Sequence, residues 1–245
     1  MFPPTDNPAQ RLLEILERAR TAENHPISKV WGGVFGIADM DAPTCYRVLG
    51  HLNGLVDSVE ARIRQLPDLN HALYLQDLPT IRAIICVPNI QSHWHQIKGP
   101  LDQGVLTGLR FCANELSKHH KEDAIAPEEL EKIRKDFTAI FRTVSKAEIT
   151  PDLKLVLFDI LTSAILAIEQ YKILGNDGLK KAVAYTIGML TLHKDEFLTA
   201  KKDGIITQTL TAIKGLCNLI TIAYRIKALG SAFSDILHLP DTDGK

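Results

Sequence analysis

Cysteine, aromatic residues and any excess of charge are all scarce here, and each shortage removes a class of protein. Four cysteines, at 45, 86, 112 and 217, are spread widely through 245 residues and sit in apolar surroundings. A disulfide-framed secreted domain is small and cysteine-dense, so that framework is excluded and reduced thiols are expected. Basic and acidic residues nearly cancel, 28 against 29, so no nucleic-acid partner is expected from overall charge. The opening stretch MFPPTDNPAQ has neither the basic nor the apolar region of a secretory leader, which points to a bacterial-type cytoplasm.

Sequence motifs for chemistry are missing as well. There is no Gly-Lys-Ser/Thr tripeptide for a phosphate loop, no His-Glu-x-x-His, no Glu-x-x-His and no Gly-x-Ser-x-Gly. Trp31-Gly32-Gly33 with Gly36 is glycine-rich but lacks the order a dinucleotide loop requires. Cys86, His93 and His95 form one group of zinc-type ligands, and Cys112, His119 and His120 another. No Cys-x-x-Cys pair accompanies them. A helix over 90–97 would also turn His93 and His95 about 200° apart, so neither a metal nor a cofactor is expected. Arg47 and His51 stand four apart on one helix face. Helical RNases of the HEPN superfamily place four to six residues between an Arg and a His, and only three intervene here. Glu128, Glu129, Asp195 and Glu196 sit beside lysines near helix starts, where dipole compensation accounts for them. The two tryptophans, Trp31 and Trp94, fall in the least regular regions and read as plugs onto a core.

What is present is helical periodicity. Asn7-Pro8, Asp41 and Thr150-Pro151 read as N-caps, two of them with proline at the first helical position. Leu49, Leu52, Val56, Val59, Ile63 and Leu66 form an alternating three-four stripe, and Leu130, Ile133, Phe137, Ile140 and Val144 form another. Residues 26–41, with Pro26 and three glycines, read as an irregular connection, and the prolines of 67–98 predict short helices and turns. Gly175 reads as the C′ residue of one helix, with the next starting near Leu179. The predicted fold is all-α, a multi-helix bundle of about eight to ten helices. The polar segment SKHHKEDAIAP divides residues 1–117 from a C-terminal bundle over 127–238, the two expected to pack as one globular unit, followed by a loose tail at 239–245. Residues 150–190 resemble segments of bacterial helical proteins, a likeness that carries no activity.

The most apolar stretch, GIITQTLTAIKGLCNLITIAY at 204–224, divides the functional readings. Thr207, Thr211, Lys214, Asn218, Thr221 and Arg225 step along one face of a helix over 204–229, and apolar residues fill the rest. A lipid-surrounded span would place Lys214 near the bilayer centre at a cost of about 2.5–3.5 kcal/mol. A bundle helix with one wetted stripe avoids that cost. The expected function is therefore non-enzymatic: an adaptor, inhibitor or regulatory subunit that binds a protein partner or its own copies. The alternative is a toxin-like or host-defence effector that meets the inner membrane through 204–229. A third reading is a helical hydrolase or nuclease with an unrecognised site.

Overall fold

The computed structural model describes residues 7–119, 125–200 and 204–223, with side chains to 220. Eleven α-helices and one 3-10 turn make up those residues, and the only strand-like pairing among them is an isolated bridge between Pro26 and His93. The fold is all-α. The chain divides into two compact units, residues 1–122 and 123–245.

The first unit is assembled around α1 (Pro8–Thr21), which packs on α2 (Ile27–Phe35), α3 (Ala42–Arg64) and α6 (Gln103–His119). The short helices α4 (His71–Leu75) and α5 (Leu78–Ile85) lie against α3, and α4 also meets α6. Local chemistry sets the helix starts. Asn7 accepts from Gln10 N at 3.0 Å, as an N-cap does. Its amide also donates to the Ala113 carbonyl at 3.1 Å and to Ser117 Oγ at 2.8 Å, so one buried side chain caps α1 and ties it to α6. Asp41 caps α3 through Thr44 N at 2.8 Å. Asp102 caps α6 through Val105 N at 2.9 Å, so that helix begins three residues beyond Pro100.

Residues 26–41 correct the expectation of an irregular connection: 27–35 are helical, and only the stretch from Gly36 to Asp41 is irregular. Ile27, Val30, Trp31 and Val34 form a buried helical stripe that outweighs the poor propensity of Gly32 and Gly33. The first N–H groups of α2 are satisfied by the 90–92 loop, with Ile27 N on Ser92 O and Ser28 N on Ile90 O, both at 3.0 Å. Gly36 ends the helix at φ +71°, and Ile37 N closes back on Gly32 O at 2.8 Å. A Cβ on Gly32 would lie 2.8 Å from the Ile37 carbonyl oxygen, so the cap itself requires that glycine. Trp31 and Trp94 are both fully buried and meet edge to face at 5.7 Å, while Trp94 Nε1 donates to the Ala19 carbonyl at 2.8 Å. Both tryptophans plug the first unit's core.

The second unit contains α7 (Pro127–Val144), α8 (Pro151–Glu169), α9 (Tyr171–Leu192), α10 (Lys194–Thr199) and α11 (Gly204–Ala223). Helix α8 packs on α7 and α9, and α11 packs on the same two. Thr150 caps α8 through Leu153 N at 3.3 Å. The break near Gly175 differs from the expected one. Helix α8 stops at Glu169, a turn of helix covers Tyr171–Leu174, and Gly175 takes φ 58°, ψ −156° before the chain continues helically to Leu192. That backbone conformation is open essentially to glycine alone. Tyr171 donates to Asn176 Oδ1 at 3.0 Å across the turn and accepts from Ile125 N at 3.3 Å. Phe137, Leu157, Ile160, Leu161, Leu179 and Ile206 form the centre of this unit's core.

Candidate functional site

Helix α11 carries the stripe that the sequence singles out. Thr207 is half-buried, and Thr211, Lys214 and Asn218 are exposed. Thr221 lies in the helix beyond the last described side chain, and Arg225 lies outside the described residues. On the other side, Ile206, Leu210, Ile213, Leu216, Cys217 and Ile220 are buried, and Gly215 lies opposite the Ile133 side chain of α7. Thr209, a polar residue within the apolar arc, is fully buried and donates to the Ile205 carbonyl at 2.8 Å. The five aliphatic side chains represent roughly 7–15 kcal/mol of burial. Moving α11 into lipid would return that burial to the helix but not to the faces of α7 and α9 it left. Among the described residues no helix is long and apolar enough to cross a membrane.

The histidine and cysteine groups do not converge. Among the described residues no three His, Cys, Asp or Glu side chains are placed to hold a metal ion. His93 is extended and His95 lies in the 3-10 turn Trp94–Gln96, so their rings sit 6.0 Å apart rather than on opposite helix faces. His95 instead meets Asn24 Oδ1 through Nδ1 at 2.8 Å. Cys86 is exposed, whereas Cys45, Cys112 and Cys217 are buried. Burial, helped by the charge of Asp77, pushes the Cys112 thiol up to about 12, and burial pushes Cys217 up to about 11. Both remain thiols at neutral pH, the opposite of an activated nucleophile. His120 lies outside the described residues, and His119 lies 3.7 Å from Glu115 on its own helix.

Arg47 is exposed and donates to Thr44 Oγ1 at 3.3 Å, while His51 is half-buried one turn further on. Asn53, beside them in sequence, is engaged by Arg82 at 3.1 Å. Arg82 also bridges to Asp57 at 2.5 Å and Glu60 at 2.9 Å, so this cluster ties α5 to α3.

The first unit holds an open groove of about 520 Å³ between α4 and α6. Leu73 and Tyr74 of α4 and Phe111 of α6 supply its apolar walls, with Leu73 57% and Phe111 60% exposed. Gly104, Thr107 and Gly108 line α6 beneath them, and Asp77 enters at the start of α5. Asp77 occupies the N-cap position but makes no side-chain cap bond; its carboxylate lies against Gly108, where any Cβ would collide with it. Burial raises the Asp77 carboxyl above its ordinary value, and the like charge of Asp102 pushes the same way. One sequence signal hints at the groove: Phe111 falls off the stripe Val105, Leu109, Cys112 and Leu116 that α6 buries.

The second unit bears an apolar surface of a different kind. Phe141 of α7 and Phe158 of α8 meet edge to face at 4.9 Å, and Leu155, one turn before Phe158, is 64% exposed. Helix α8 is apolar on more of its circumference than its own unit covers. No family model matches the chain, and no curated protein or solved structure matches it.

Proposed function

We propose that the chain acts by binding another protein, as an adaptor, inhibitor or regulatory subunit, and that the α7–α8 face of its second unit is the contact. The observation carrying this reading is Leu155 standing exposed beside the Phe141–Phe158 pair. Exposed apolar side chains gathered at one surface mark interaction sites, aromatics are enriched in their cores, and covering the exposed part of a leucine contributes about 1–2 kcal/mol. The membrane-effector alternative is the less supported one, because the apolar arc of α11 is engaged with α7 and α9. A cytoplasmic setting suits the reading and belongs to the same proposal.

Photo-crosslinking in cells tests it, with benzoylphenylalanine at Phe141 or, as a control, at the exposed Lys135. A single adduct from position 141, lost in Leu155→Arg, is the expected result, and its mass identifies either a partner or a second copy. Equal adduct patterns from both positions, or an adduct that survives Leu155→Arg, would contradict it.

A further inference from the structure

We infer that the groove between α4 and α6 is a binding site for a small organic cation, an ammonium group carried on an apolar alkyl or arylalkyl body. This is independent of the protein-binding reading, since the groove belongs to the first unit and the Phe141–Leu155 face to the second.

Three features of the groove converge on that ligand. Its volume, about 520 Å³, lies in the range of small-molecule sites, which are mostly apolar with a few placed polar groups. Its walls are exposed apolar side chains, Leu73 and Phe111, that no other described element covers. Its charged group is a carboxylate without a counter-ion: among the described residues no hydrogen bond or ion pair reaches Asp77 Oδ1 or Oδ2. Three cations of α1, α6 and α5 are engaged elsewhere. Arg20 donates to Gln103 Oε1 at 2.7 Å, Lys118 pairs with Glu115 at 2.7 Å and Arg82 pairs with Asp57 and Glu60. Asp102, the second carboxylate beside the groove, accepts from Val105 N and adds negative potential.

A partly desolvated carboxylate beside apolar walls is complementary to a cation and repels an anion of the same shape. The aromatic rings of Tyr74 and Phe111 favour the same ligand, since an ammonium is drawn to a ring face. Gly108 makes the arrangement possible, because only a residue without Cβ leaves room for Asp77 on the groove floor. A neutral or anionic metabolite would leave that carboxylate unmatched.

Titration of the full chain with 2-phenylethylammonium, and separately with the neutral isostere 2-phenylethanol, tests the assignment by calorimetry. The wild type is expected to bind the ammonium at least about tenfold more tightly than the alcohol. Asp77→Asn keeps the shape and removes the charge, and is expected to bring the two affinities within about twofold. Asp152→Asn, a charge-matched change in the second unit, is expected to keep the full preference. Phe111→Ala alters a side chain that supports no core and is expected to weaken ammonium binding about threefold, which tests the site should Asp77→Asn fail to fold. Equal binding of the two probes by the wild type would overturn the inference. So would a preference that survives Asp77→Asn, or no binding of the ammonium up to about 10 mM.

Discussion

Asn7 shows how much one side chain contributes when it serves two elements. It caps α1 and, from a fully buried position, donates to α6. Asn7→Ala removes a cap worth about 1 kcal/mol and the two hydrogen bonds its amide gives to α6, about 1–2 kcal/mol more. A loss of about 2–3 kcal/mol is expected in urea unfolding of the first unit. Both tryptophans lie in that unit, so their fluorescence reports it specifically. Glu60 gives a pH dependence of definite sign. Hydrogen bonds from Arg64, then Arg82, hold its carboxyl below the ordinary value. The folded form therefore favours the ionised group, so the stability it contributes is present above the ordinary carboxylate range and is lost as pH falls through the lower folded value. Glu60→Gln is expected to flatten the acid limb of the fluorescence-monitored stability profile.

At the scale of the element, legibility followed the range of the interactions. Asn7, Asp41 and Thr150 were readable as caps because a cap involves a side chain and a backbone N–H three residues away. Helix α2 was not readable, because Gly32-Gly33 signals a loop while the burial of Trp31 against Trp94, sixty-three positions on, supplies the stabilisation. The groove as a whole was hidden for the same reason: Leu73, Asp77 and Phe111 come from α4, the turn before α5 and α6, and have no common period. Two predictions belong here. Gly175→Ala places a side chain at φ 58°, ψ −156° and is expected to cost more than about 1 kcal/mol in the second unit, read by circular dichroism. On α11, neighbouring positions are expected to behave oppositely. Lys214→Glu should change stability by less than about 0.5 kcal/mol, while Ile213→Asp, which buries a carboxylate, should cost more than about 3 kcal/mol.

For the whole molecule, the functional readings divide on one physical question, whether the apolar arc of α11 stays within its unit. An arc engaged with α7 and α9 is compatible with the proposed protein-binding face and groove, whereas an arc that leaves its unit would meet lipid. The thiol of Cys217 lies in that arc and is buried, and the exposed Asn218 follows it directly. The most direct measurement is therefore maleimide labelling of Asn218→Cys with and without anionic vesicles, read peptide by peptide by mass spectrometry so that residues 217 and 218 are scored separately. Rapid modification at 218 and protection at 217, both unchanged by vesicles, is the result expected of a bundle helix. Modification of Cys217 at the rate of an exposed thiol, or vesicle-dependent loss of labelling at 218, would show that α11 leaves its unit and would contradict the protein-binding reading.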